Sequence, residues 1–158
     1  MALQLKDIAR CVFATRLHSA RLALRLTQEE LSNRTGVAVS SISHIENGHR
    51  STTIWTASML ADGVGQTLVT LLSDRQPTVA STSEAVNYTR VFARRMREIR
   101  ECRGMSQKQL AMRMGITRHY VSRVERGAVS NPTLDLAVSA SRALNVELVD
   151  LFYSTIGT

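Results

Sequence analysis

Residues 26–48 read LTQEELSNRTGVAVSSISHIENG, and residues 105–127 read MSQKQLAMRMGITRHYVSRVERG. Each stretch holds two short helical patterns on either side of a glycine, Gly36 or Gly115. Leu31, Ile42 and Ile45, and in the second stretch Leu110, Val121 and Val124, recur at helical spacing and form an apolar seam. Thr27 with Glu30 and Ser106 with Gln109 stand three apart, the spacing at which each side chain satisfies an open amide of the other at a helix start. Thr117 is placed to cap the helix that follows Gly115, whereas its counterpart Ala38 offers no side-chain acceptor. The glycines permit a tight turn where a side chain would be unwelcome.

The two stretches belong to a longer repeat. Sliding the chain by 79 residues lays 12–48 over 91–127 with 12 of 37 positions identical, and one deletion after Gly48 brings LVTLL (68–72) over LVDLF (148–152). The chain is one unit written twice. Between the copies, DRQPTVASTSE (74–84) has proline, small hydroxyl residues and no apolar period, as a linker does. The expected domains are therefore 1–74 and 86–158, with a linker at 75–85. In the first, the pattern predicts helices near 4–24, 27–35, 38–47, 53–63 and 66–73. In the second they fall near 86–103, 106–114, 117–126, 133–144 and 147–153. No segment alternates long enough for a strand, so the class is all-α.

Charge narrows the partner. The chain carries 20 Lys plus Arg against 13 Asp plus Glu, a formal net charge of +7, and its only lysines are Lys6 and Lys108. Arginine's planar fork suits phosphate oxygens and guanine edges. Residues 76–158 hold 12 of these cations and 7 acids, so the second copy is the more cationic. No apolar run reaches the ~18 residues of a membrane helix, so no membrane partner is expected and the protein is expected in the cytoplasm. Cys11 and Cys102 lack CxxC or Cys/His spacing, and His18, His44, His49 and His119 lack ligand spacing, so neither a metal nor another cofactor is expected. No phosphate-binding glycine loop, carboxylate pair or nucleophile with a base stands out, which argues against an enzyme.

Taken together these motifs resemble the lambda-repressor-like helix-turn-helix family, the Cro/C1 or XRE type, over nearly the whole chain and twice. The resemblance implies two tandem five-helix domains, each with its third helix in the major groove of double-stranded DNA. It implies base readers at Arg118, His119, Tyr120 and Arg123 in the second domain and at Val39, Ser40, Ser41 and His44 in the first. Two Arg contacts to guanine would each contribute about 1 to 3 kcal/mol of discrimination, and nothing in the first set forms such a pair. Thr27, Gln28, Ser106 and Gln107 at helix starts, with Asn47 and Arg126, are expected at phosphates. The resemblance also implies structural ion pairs between Arg21 and Glu46 and between Arg100 and Glu125. Trp55 fits an ordinary core position. By the resemblance, Trp55 and Met59 are also candidates for a subunit interface in a homodimer. The function implied is a sequence-specific transcriptional regulator, a repressor in the first instance, of bacterial, phage or mobile-element type. A protein-binding module, an antitoxin or antagonist of another regulator, is the alternative.

Overall fold

The computed structural model describes residues 5–73 and 87–153, and it divides the chain into two compact units, Met1–Thr82 and Ser83–Thr158. The linker expected at 75–85 lies outside the described residues. The first unit runs α1 (Leu5–Ala23), α2 (Gln28–Thr35), α3 (Val39–Glu46), α4 (Ile54–Gly63) and α5 (Leu68–Leu72). The second runs α6 (Tyr88–Cys102), α7 (Gln107–Met114), α8 (Arg118–Glu125) and α9 (Leu134–Leu144), and closes with a 3₁₀ turn at Leu148–Leu151. Among the described residues there is no strand, and the fold is all-α.

Hydroxyl side chains start most of these helices. Thr27 and Ser106 complete reciprocal capping boxes with Glu30 and Gln109, while Thr53, Thr67, Thr117 and Thr133 each accept a main-chain N–H three residues on. Helix α3 starts at Ala38 without such a bond. Gly36 and Gly115 end α2 and α7 at φ values of 71° and 67°, the left-handed conformation that lets the chain turn at once into the next helix.

The last element differs between the copies. In the first, the Thr67 hydroxyl accepts from the Thr70 N–H and α5 forms. In the second, Glu147 stands at that position, its N–H donates 3.0 Å to the Asp150 carboxylate, and the segment winds as the tighter 3₁₀ form.

The core follows the repeat. Helix α2 packs on α3 and α4 while α1 packs on α3 and α5, and α7 against α8 and α9 repeats that plan. Phe13, Leu17, Leu31, Ile42, Ile54 and Leu60 fill the first unit, and Phe92, Met96, Leu110, Val121 and Leu144 the second. Phe152 stacks on Phe92 with ring centroids 6.0 Å apart and meets Tyr88 edge-on at 6.2 Å. The seam residues expected between the second and third helix of each copy are all buried, which sets the angle at which α3 and α8 leave the body.

Candidate nucleic-acid interface

Burying Val121 and Val124 fixes which side of α8 faces out. Arg118, His119 and Arg123 are exposed, and Tyr120 is half-buried. Arg118 and His119 occupy the first turn, directly after the Thr117 cap. Arg123 sits one turn further along, with Nη2 donating 3.3 Å to the Ala128 carbonyl. Arg126 ends the helix, and its Nε donates to the Ser122 carbonyl at 3.2 Å. The same positions of α3 carry a different chemistry: Val39, Ser40 and His44 are exposed and Ser41 is half-buried, with Asn47 exposed at the end.

Behind each of these helices lies a buried ion pair. Arg21 donates to both carboxylate oxygens of Glu46, from Nε at 2.7 Å and from Nη2 at 2.8 Å, and its Nη1 reaches the Leu26 carbonyl at 2.7 Å. Arg100 does the same with Glu125 at 2.6 and 2.9 Å, and with the Met105 carbonyl at 2.8 Å. Gln28 and Gln107 donate their side-chain amides to the same carboxylates, at 2.8 and 2.9 Å. Each glutamine, named from the sequence for a phosphate contact, thus ties the start of the second helix to the end of the third. Ser106 and Thr27 stand beside them as the caps of α7 and α2.

In the first unit His18 joins this cluster, its Nδ1 lying 3.1 Å from Glu46 Oε2 and 3.1 Å from Arg21 Nη2. Burial alone would push the Glu46 carboxyl up, but hydrogen bonds from Arg21, Gln28 and His18 outweigh it and hold the group at about 2.

The repeat sorts the arginines further. Arg16 and Arg95, identical between copies, point at main-chain carbonyls of the closing element, Thr70 at 3.5 Å and Asp150 at 3.2 Å. Arg34 and Arg113, also identical, reach the carbonyls of Gly63 and Ala143 at 3.5 and 3.2 Å, near the ends of α4 and α9, where helix carbonyls lack intrahelical partners. The sequence reading missed both roles. Their signal was identity between the copies, because a contact internal to the fold is needed in each. Arg118, Arg123 and Arg126 have Val39, His44 and Asn47 as counterparts and belong to the face that diverged.

Trp55 is corrected as a core residue. It is 51% exposed, because Ile54, Ala57, Leu60 and Ala61 take the inner side of α4 and leave Trp55 on the outer side with half-buried Met59. Cys11 and Cys102 are both exposed and free. Among the described residues no cluster of His, Cys, Asp or Glu suits a metal ion, and no helix is long and apolar enough to cross a membrane.

The helix-turn-helix family profile matches the chain twice, over residues 17–71 and 96–151. The protein belongs to this family, in its lambda-repressor-like, Cro/C1 or XRE branch. It is 37% identical over 62 residues to the HTH-type transcriptional regulator SlrR of Bacillus subtilis, a match covering 39% of this chain and 41% of that one. The chain thus spans less than half of that relative. It is 40% identical over 58 residues to an HTH-type transcriptional regulator of Archaeoglobus fulgidus, covering 37% of this chain and 81% of the relative. Among solved structures it is similar to the restriction-modification controller protein C.AhdI from Aeromonas hydrophila, at 39% identity over 40% of this chain and 96% of that one, with a TM-score of 0.39.

Proposed function

We propose that the protein is a sequence-specific double-stranded DNA-binding transcriptional regulator, a repressor, of bacterial, phage or mobile-element type, which lays α3 and α8 in the major groove. One observation carries this reading. The exposed side of α8 concentrates Arg118, His119 and Arg123 at and after its capped first turn, while the arginines shared by the two copies each reach a main-chain carbonyl of their own unit. Side chains at the start of a third helix are the ones that reach base edges in such docking.

In this reading Arg118 and Arg123 take guanine edges, and His119 and Tyr120 add contacts to bases or phosphates. Val39 meets a thymine methyl, Ser40 and Ser41 hydrogen-bond a base, and His44 stands where Arg123 does. Thr27, Gln28, Ser106 and Gln107 lie at helix starts whose first N–H groups attract phosphate, with Asn47 and Arg126 beside them. The similarity to HTH-type transcriptional regulators supports the same conclusion. Binding alone suffices for repression, by occluding a promoter, and a regulator of this kind works in the cytoplasm on the nucleoid.

Selection from a random duplex library at moderate salt, with sequencing of the bound pool, tests the proposal. An enriched motif containing guanine is expected, with affinity falling steeply as salt rises. No enrichment at any salt would sink it in favour of a protein partner.

A further inference from the structure

The outer side of α1 is unlike its counterpart in the repeat. Among the residues of α1 whose side chains are described, every exposed position is Ile8, Cys11, Thr15, His18, Ser19, Leu22 or Ala23, with no Lys, Arg, Asp or Glu. The exposed positions of α6 are Arg90, Arg94, Arg97, Glu101 and Cys102. Thus Arg90, Arg94 and Glu101 stand where the first unit has Cys11, Thr15 and Leu22. The second copy of the unit carries charge on this side, and the first carries none at the exposed positions named. Ile8 and Leu22 are large apolar side chains that stand 46% and 53% exposed.

From this face we infer that two copies of the chain associate through α1, antiparallel and centred on Thr15. Ile8, Cys11, Thr15, His18 and Leu22 succeed one another at intervals of 3 and 4, the spacing of a helix–helix seam. The strip is also symmetric in size. Ile8 and Leu22 each lie seven residues from Thr15, and Cys11 and Ser19 each lie four.

A two-fold axis at Thr15 therefore sets Ile8 against Leu22 of the partner subunit and Cys11 against Ser19 of the partner subunit. Large side chains close both ends, and Cys11, Thr15 and Ser19 between them, with His18 to one side, are small enough to let the helix axes approach to about 8 Å. That is the self-complementarity an isologous contact requires.

Charge favours the same occupant. In a chain of net charge +7, most approaches of one copy to another bring like charges together, and this strip does not. Flanking Asp7 and Arg10 are half-buried and lie 3.7 Å apart, offsetting each other.

The seam is about 21 Å long at ~1.5 Å per residue and covers on the order of a few hundred Å² per copy, below the ~800 Å² per partner of a tight complex. The dimer is accordingly weak and concentration-dependent.

Sedimentation velocity of the full chain without DNA, from low micromolar to near-millimolar concentration, tests this independently of the DNA-binding reading. The wild type is expected to shift from monomer to dimer. Thr15→Arg with Leu22→Glu, which installs the residue types that α6 carries at the same positions, should raise the midpoint by about tenfold or more, since unlike a core change it leaves each folded unit intact.

Thr15→Cys, with Cys11 and Cys102 replaced by Ser, should form a disulfide-linked dimer under mild oxidation, because only residues on the axis approach closely enough. Monomer throughout, equal sedimentation of wild type and the double variant, or failure of Thr15→Cys to cross-link would each overturn the proposal. So would a dimer abolished by Trp55→Ala and left intact by the α1 substitutions.

Discussion

Arg100 grips both oxygens of the Glu125 carboxylate, at 2.6 and 2.9 Å, with the two side chains only 9% and 2% exposed. The pair joins α6 to α8, so the helix that presents Arg118 is anchored through a group on its own last turn. Replacing either partner alone by Ala should destabilise the second unit by about 3 to 5 kcal/mol, because the other charge is left buried without its counterion. Replacing both with apolar residues should cost much less than the sum of the two single changes. Urea denaturation of the three variants, followed by circular dichroism, checks this, and strict additivity would show that the pair is not coupled.

Glu46 makes the stability of the first unit depend on acid. Folding lowers its carboxyl from 4.5 to about 2, so the unfolded chain binds the proton more readily and stability rises with pH across that interval. The contribution is fully present above the unfolded value and is lost as pH falls from there through about 2. Denaturation followed by Trp55, the sole tryptophan and a reporter on the first unit, should show this slope in the wild type. Glu46→Gln should flatten it.

Gly63 is required by the approach of α4 to α2. A Cβ there would overlap the Thr35 methyl and lie 2.8 Å from Leu31 Cδ1, both buried. Gly63→Ala should cost about 1 to 3 kcal/mol through overpacking, despite alanine's better helix propensity. The second unit has Ala143 at this position and Met114, an unbranched side chain, in place of Thr35. Gly63→Ala combined with Thr35→Ala should recover much of the loss. A single variant as stable as wild type in thermal melts would refute the steric account.

Arg25 holds a left-handed backbone at φ 55°, where the second copy has Gly104 at φ 62°. The side chain is exposed. Arg25→Gly should therefore stabilise the first unit by about 1 kcal/mol or slightly less, the relief of strain being partly offset by glycine's greater freedom when unfolded. A lower melting temperature would count against the strain.

For the proposed DNA contacts, Arg118→Ala and Arg123→Ala should each lose about 1 to 3 kcal/mol on the selected site and relax preference at one base position. Gln107→Ala should weaken all sequences alike. Competition binding against single-base variants of the site separates these outcomes, and unchanged preference in both arginine variants would remove α8 as the reader.

The duplication, the helix starts and the seam were legible in the primary structure, because they rest on local causes. A hydroxyl three residues before its partner caps a helix wherever it occurs, and Leu31 or Leu110 at helical spacing must find cover. Arg21 with Glu46 and Arg100 with Glu125, 25 residues apart, came from likeness to a family rather than from spacing.

What only the tertiary structure decided were the relations set by which side of a helix packs inward. Arg16, Arg34, Arg95 and Arg113 meet their carbonyl partners only because folding brings main chain from distant parts of the sequence to them. Trp55 read as core until Ile54 and Ala57 took the inner side of α4. Gly63 is an ordinary weak helix residue until Thr35 is packed against it, and the uncharged strip from Ile8 to Leu22 has no meaning until Phe13 and Leu17 turn inward and leave it facing water.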